Sequence, residues 1–329
     1  MLQFYYIQYI IKLESEVSDF TKDSKRRWKE EMNRKFDGVI STVVTPFNED
    51  DTINEELLRK DVRYILDAGV DGICACGSTG EGHTLSIEES ARVCEIVVDE
   101  VKGKVPVVGG IIQNSTYQVI KYGEALKSVG VDALQITPTF YVFDPRSEGT
   151  IAHFKQIDQE LNMPVIIYNV IPWAQVPLET IEQLIEIPSI VGIKQSAGNI
   201  ALLGDLILKF KDKITILAAL DNLHFPAFVM GAHGTLAAIP TITPHLTVKL
   251  WNCVQDGNYT EAREIHETIL PIWHAIEEPN MPAKIKEALR LQGREAGKAR
   301  NPMPPVTKKE SEKIRLALKN AGLLKENIV

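Results

Sequence analysis

Ser189-Ile190-Val191-Gly192-Ile193-Lys194-Gln195-Ser196-Ala197-Gly198-Asn199 sets four residues of near-continuous apolar character, Ile190 to Ile193, directly before a lysine. An apolar run without alternation is a short strand buried on both faces, the kind a parallel sheet has when helices cover it. An ammonium is costly beside such a strand. Lys194 therefore points outward into water, finds a counter-charge, or gives up its proton to become an amine able to attack a carbonyl and form a Schiff base. The stretch alone leaves these readings open.

The same kind of strand recurs on both sides of it. Val39–Val44, Gly72–Cys76, Val105–Gly109, Ala133–Thr137, Val165–Tyr168, Ile190–Lys194, Ile214–Ala218 and Gly234–Ala237 are Val- and Ile-rich runs. Segments at helical spacing separate them: Asn54–Asp67, Ile87–Val101, Thr116–Ser128, Gly149–Glu160, Glu179–Ile185, Ile200–Phe210 and Leu223–Met230. Eight buried strands alternating with helices predict an α/β fold, a (β/α)8 TIM barrel. An open doubly wound sheet is the competing architecture, but no Gly-x-Gly-x-x-Gly follows the first strand. Beyond the eighth strand the pattern is helical: Thr247–Gln255, Tyr259–Ile276, Ala283–Leu291 and Lys308–Ala321, punctuated by Pro279, Pro282 and Asn301-Pro302-Met303-Pro304-Pro305. The expected organisation is an N-terminal helical extension over 1–36, a barrel core over 37–240, and the last barrel helix with a small C-terminal helical appendage over 241–329.

The 329 residues are 44% hydrophobic and 24% charged, the balance of an ordinary globular protein. A net charge of −8 argues against a nucleic-acid partner, which needs a basic stripe. Cys74-x-Cys76 has no second ligand pair, so no zinc site is expected, and Cys74, Cys76, Cys94 and Cys253 read as buried thiols of a reducing cytoplasm. Met1 to Ile11 is apolar but too short to span a bilayer. It lacks a basic start and a small-residue cleavage site, and Glu14, Glu16 and Asp19 follow it. No membrane or secretory role is expected. The leader is either a helix for packing between subunits or sequence upstream of a start at Met32.

In a barrel of this kind, functional groups gather at the C-terminal ends of strands. Those ends carry Thr45-Pro46-Phe47, Gly77-Ser78-Thr79-Gly80-Glu81-Gly82-His83, Thr137-Pro138-Thr139-Phe140-Tyr141, Tyr168-Asn169-Val170 and Lys194. The glycine-rich turn, with the hydroxyls of Ser78 and Thr79, suits an anion before a helix. It lacks the Gly-Lys-Ser/Thr ending of a phosphate loop, so a carboxylate fits better, and a plain helix cap is the competing reading. A phenol, with an ordinary pKa of about 10, is a poor base by itself. Held by a hydroxyl partner, Tyr168 can relay protons, although a tyrosine at a strand end also serves packing. His83 reads as structural.

Together these pieces resemble the dihydrodipicolinate synthase / N-acetylneuraminate lyase family of class I Schiff-base pyruvate aldolases, from Gly38 to Leu324. The motifs that carry the resemblance are Gly-x(6)-Thr-Pro-Phe at 38–47, Gly-Ser-Thr-Gly-Glu at 77–81 and Tyr-Asn-Val at 168–170. Gly-Ile-Lys-Gln-Ser-x-Gly-Asn at 192–199 and Gly-Ala-His-Gly at 231–234 complete the set. The resemblance implies that Lys194 forms the Schiff base with pyruvate and that Tyr168 shuttles protons. Ser78 and Thr79, with Gly80, would hold the pyruvate carboxylate, and one of the two hydroxyls, assigned to Thr79, would join the proton relay. Tyr141 is the expected second tyrosine, supplied across a subunit boundary, with Phe140 as the alternative for that place. Leu236 is expected to line the pocket. The resemblance further implies a homotetramer, a dimer of dimers, without metal or organic cofactor.

Two departures bear on the substrate. The synthases of this family carry an arginine, for the second substrate's carboxylate, about where Trp173 stands in Tyr168-Asn169-Val170-Ile171-Pro172-Trp173. The sialic-acid lyases carry Asp-Glu after the seventh strand, where this chain reads Asp221-Asn222. The expectation is a lyase joining or splitting pyruvate, or a related 2-keto acid, and an aldehyde, in an acceptor pocket made partly apolar by Trp173 and Phe140. The alternatives are a 4-hydroxy-tetrahydrodipicolinate synthase of lysine biosynthesis, a sugar-acid dehydratase, and a non-catalytic oligomer that binds a keto acid.

Overall fold

The strands of the computed structural model are β1 (Gly38–Thr42), β2 (Gly72–Ala75), β3 (Val107–Ile111), β4 (Ala133–Ile136), β5 (Val165–Asn169), β6 (Ile190–Gln195), β7 (Thr215–Ala218) and β8 (Gly234–Ala237). All are parallel, each pairs with the next in sequence, and β8 closes onto β1. The structure describes residues 35–196, 199–277 and 279–324; the expected N-terminal extension falls outside these except for its last two residues. The helices that follow the first seven strands are α1 (Glu55–Asp67), α2 (Ile87–Val101), α3 (Thr116–Ser128), α4 (Arg146–Leu161), α5 (Leu178–Leu184), α6 (Ile200–Phe210) and α7 (His224–Val229). After β8 come α8 (Ile239–Ile242), α9 (Pro244–Gln255), α10 (Tyr259–Ile276), α11 (Met281–Leu291) and α12 (Lys308–Asn320). The (β/α)8 barrel with C-terminal helices is therefore the observed architecture.

Every strand residue is buried, as near-continuous apolar runs require. Inside the barrel, one side chain from each strand meets its neighbours: Ile40, Cys74, Val108, Ala133, Ile166, Val191, Leu217 and Leu236, with Phe36 joining them. This packed layer makes the barrel a bowl and not a tube. Burial pushes the Cys74 thiol up to about 12, so it is an inert filler. Helix starts are fixed by side-chain caps: Asn54 accepts from Leu57 N, and Ser86 and Thr307 form capping boxes with Glu89 and Glu310.

Several boundaries differ from those expected by a residue or more, and those of β3, α4 and α9 have a visible cause. β3 starts at Val107 and runs on through Gly109-Gly110 to Ile111, because Gly110 marks a close approach and not a stop: a Cβ there would lie 2.6 Å from the Cys76 carbonyl oxygen. α4 begins at Arg146, ahead of Gly149, where Asp144 accepts from Arg146 N at 2.8 Å. α9 begins at Pro244, since proline at the first helical position gives up no hydrogen bond.

Two buried histidines should make stability fall in acid. His153 Nδ1 lies 2.9 Å from Thr116 Oγ1 and His224 Nε2 lies 3.0 Å from Thr235 Oγ1. Burial lowers their pKa values to about 4 and about 3. The unfolded chain, with histidine near 6.5, binds more protons below that pH, so stability is lost as pH falls from 6.5 toward 4, by about 3 kcal/mol per histidine. In urea titrations, the stability gap between the protein and its His153→Phe variant should shrink over that range. A gap constant with pH would refute this.

Candidate active site

The turn after β2 is shaped by contacts that leave no room for a side chain. A Cβ at Gly82 would lie 1.8 Å from the Cys76 carbonyl oxygen, so only glycine lets the chain fold back there. Cys76 and Glu81 take left-handed backbone conformations, with φ of 57° and 55°. Glu81 N donates to Ser78 O at 3.1 Å, Gly82 N to Gly77 O at 3.0 Å, and Thr45 Oγ1 to Gly80 O at 2.7 Å. The Glu81 carboxylate is buried and accepts from Lys286 Nζ at 2.6 Å and from Arg300 N at 2.9 Å. Lys286, from α11, also donates to the carbonyls of Thr45 and Lys298, both at 2.6 Å. Burial pulls the Lys286 pKa down, and Glu81 opposes that shift. The C-terminal helix α11 thus holds the turn through a fully buried ion pair.

β5 and β6 supply the reactive pair. Their register sets Tyr168 opposite Lys194, so both side chains leave the sheet on the same face at the same height. Each is only 4% exposed. Lys194 Nζ lies 3.8 Å from the centre of the Tyr168 ring, and the Tyr168 hydroxyl lies 3.3 Å from Ser78 Oγ. No carboxylate among the described residues forms an ion pair with Lys194. Asn169 secures the end of β5, donating to Gln195 Oε1 and accepting from Val176 N, each at 2.9 Å.

A cavity of about 260 Å³ opens above this pair. Ser78, Thr79 and Tyr168 line it, together with Asp221, Asn222, Trp273 and Glu277. Asp221 Oδ1 accepts from Ile239 N at 2.6 Å, and burial raises its pKa to about 6, with Lys194 and backbone donors acting against that rise. A larger hollow of about 680 Å³ lies between α11, α12 and the proline-rich 301–305 segment. It excludes Lys194, and of its four lining cations Lys286, Arg290 and Lys298 are paired with Glu81, Glu287 and Asp51, while Lys308 opens α12.

Lys194, Tyr168, Ser78 and Thr79 are therefore brought together. The hydroxyl that meets the phenol belongs to Ser78, whereas Thr79, expected in that role, lines the cavity beside it. The other expected residues do not reach this cavity. Gly80 lies under the turn, where a Cβ would come within 2.9 Å of Val43 O. Leu236 is fully buried in the interior layer, because its β8 position alternates inward below the mouth. Trp173 is 73% exposed, and its indole N–H donates to Phe140 O at 2.9 Å, which draws the ring outward into a separate hollow lined by Thr139, Arg146 and Gln175. Tyr141 is 72% exposed, on a loop whose Phe140 and Tyr141 amides both donate to Asn114 Oδ1. Nothing at the strand ends points to Trp273 and Glu277, at the end of α10, or to Met281, which opens α11. The proline after Trp273-His274-Ala275-Ile276-Glu277 was the available sign that the chain turns there.

The family model described as the dihydrodipicolinate synthetase family matches residues 35–321. The chain belongs to this family. Among its members, the 4-hydroxy-tetrahydrodipicolinate synthase of Methanopyrus kandleri is 36% identical over 300 residues, spanning 90% of this chain and 99% of the relative. The synthase of Neisseria meningitidis serogroup B is 35% identical over 290 residues, spanning 87% and 99%. Of solved structures, dihydrodipicolinate synthase from Aquifex aeolicus superimposes with a TM-score of 0.84 at 28% identity, covering 89% of this chain and 100% of that one. The Acinetobacter baumannii synthase, complexed with pyruvate, gives 0.83 at 29% identity, covering 88% and 99%. N-acetylneuraminate lyase from Fusobacterium nucleatum gives 0.80 at 29%, covering 88% and 99%. As a member of the dihydrodipicolinate synthetase family, the protein is an enzyme of the Schiff-base lyase and synthase kind. No helix among the described residues is long and apolar enough to cross a membrane.

Proposed function

We propose that the protein condenses Lys194 with pyruvate, or a related 2-keto acid, and makes or breaks a carbon–carbon bond to an aldehyde through the resulting imine. The observation that carries this reading is the buried Lys194 amine stacked 3.8 Å over the Tyr168 ring, with the phenol in turn on Ser78. Attack of the amine on the keto carbon gives a carbinolamine, whose loss of water needs a proton delivered and another removed. Tyr168 and Ser78 form a two-hydroxyl path for that transfer at the rim of the cavity. The hydroxyls of Ser78 and Thr79, on a turn rich in backbone N–H groups, provide the donors for the keto acid's carboxylate. The protonated imine then draws electrons from the adjacent carbon, so the chain supplies its own electron sink and the reading calls for neither metal nor organic cofactor.

We assign the protein to the cytoplasm and to a homotetramer, a dimer of dimers. Tyr141, Val142 and Phe143 are 72, 68 and 82% exposed, an apolar loop tip that a second copy would cover, and this supports Tyr141 as the tyrosine given across a subunit boundary. A second reading, 4-hydroxy-tetrahydrodipicolinate synthase, rests on the names of the relatives at 31–36% identity. Trp173 in the arginine's place counts against it. The test is borohydride reduction in the presence of pyruvate, followed by peptide mass mapping. An adduct on Lys194 is expected; an adduct on another lysine, or none, removes the mechanism.

A further inference from the structure

The turn that carries Ser78 and Thr79 meets α2 through a pair of thiols that the Schiff-base chemistry does not use. Cys76 stands where β2 gives way to the turn, and Cys94 lies midway along α2. Their sulfurs are 3.8 Å apart, and Cys76 Sγ also donates to Ser90 O, one helical turn before Cys94, at 3.6 Å. Both residues are buried, at 1% and 0% exposure, and both are free thiols. Cys74 meets Gln135 Oε1 instead, at 3.9 Å, inside the barrel. The backbone at Cys76 has no slack. Its φ of 57° is left-handed, a conformation that residues with a side chain rarely adopt. Its carbonyl oxygen would lie 1.8 Å from a Cβ at Gly82 and 2.6 Å from one at Gly110, so it is wedged between two stretches of backbone. Two residues on, Ser78 Oγ meets the Tyr168 hydroxyl at 3.3 Å.

We propose that peroxide joins Cys76 and Cys94 in a reversible disulfide, and that this bond weakens keto-acid binding by displacing the turn at 77–79. The inference rests on the reading of Ser78 and Thr79 as donors to the keto acid's carboxylate. A disulfide holds its sulfurs about 2.0 Å apart, so the 3.8 Å pair must close by about 1.8 Å. Cys94 is held inside a helix whose first turn is fixed by the Ser86 and Glu89 capping box, so the movement falls on Cys76. Ser78 and Thr79 follow it, and the 3.3 Å contact with Tyr168 has little length to spare. The step balances with hydrogen peroxide as the oxidant. One sulfur attacks the peroxide, the O–O bond breaks, and a sulfenic acid forms as the first water leaves. The other sulfur displaces the hydroxyl, the S–S bond forms, and the second water leaves with the remaining thiol proton. The two thiols lose two electrons and two protons, and peroxide gains both. The hydrogen bond with Cys76, and then burial, hold the Cys94 thiol well above its ordinary pKa, so the pair resists mild oxidants. In a reducing compartment such a bond is transient, and a small dithiol reverses it by exchange.

The experiment treats the full chain with hydrogen peroxide, maps its cysteine peptides without reduction, and measures pyruvate affinity by calorimetry before and after. A Cys76–Cys94 cross-link is expected, with the Kd for pyruvate raised at least about tenfold and restored by dithiothreitol. Linkage makes the effect mutual, so saturating pyruvate should shift the dithiol–disulfide equilibrium in dithiothreitol buffers toward the thiols by the same factor. Cys94→Ala should bind pyruvate as the unsubstituted chain does and keep that affinity after peroxide, whereas Cys253→Ala should lose affinity as the unsubstituted chain does. No cross-link in the unsubstituted chain, a cross-link that leaves Kd unchanged, or an equal loss of affinity in Cys94→Ala overturns the proposal. Borohydride trapping of pyruvate on the reduced protein is read alongside. If Lys194 is labelled and the cross-link leaves Kd unchanged, only the switch falls. If the reduced protein neither labels nor binds pyruvate, the Schiff-base reading falls and takes the switch with it.

Discussion

Lys194→Ala should cost at least about 10³-fold in turnover and abolish borohydride-stable labelling by pyruvate, because no other amine lines the cavity among the described residues. Tyr168→Phe should behave differently. Removing the phenol oxygen leaves the ring under the amine, so labelling persists at a slower rate while turnover drops by about 10² to 10⁴-fold, the usual cost of losing a positioned proton donor. Ser78→Ala should fall between wild type and Tyr168→Phe, since a water can replace a hydroxyl at the rim. Initial rates with pyruvate and the trapped mass, measured on all three variants, check these outcomes. Activity retained by Lys194→Ala would exclude covalent catalysis at this site.

The second large effect is on stability. Lys286→Met leaves the Glu81 carboxylate buried without its cation, and loss of one partner from such a pair costs about 3–5 kcal/mol. Glu81→Gln should cost a similar amount by stranding the ammonium, and the double variant should lose clearly less than the sum. Denaturant titrations of the four proteins give the coupling directly. Because Glu81 ends the turn that carries Ser78 and Thr79, the single variants should also raise KM for pyruvate. Additive losses, or a KM unmoved by either change, would show that the pair does not hold the turn.

The barrel was legible in the sequence because its strands are buried on both faces and carry almost no polar interruption. Ile190 to Ile193 and Val165 to Ile167 leave few alternatives once the helical segments between them are marked. Lys194 and Tyr168 were legible for the same reason, since a polar residue ending an apolar strand is conspicuous. Adjacency of the two follows from β5 pairing with β6, which strand order alone implies. What failed to show was direction. Leu236 and Gly80 stand near the right strand ends, yet one faces the packed interior and the other passes beneath Val43. Trp173 has the right position in the chain, but a single hydrogen bond to Phe140 turns it away. The choice of Ser78 over Thr79 depends on the left-handed Cys76 and Glu81, which no propensity favours. Trp273 and Glu277 arrive from a helix far along the chain, and only the closing of the fold brings them to the mouth.

The layer of eight side chains beneath Lys194 has one more consequence. A well sealed at its base has a single doorway, so whichever molecule sits nearer the floor must have entered first and must depart last. In the proposed reaction the keto acid, bound to Lys194, takes that lower place. High aldehyde concentrations should therefore block the doorway and slow pyruvate loading, giving ordered kinetics with inhibition by the aldehyde that rising pyruvate relieves.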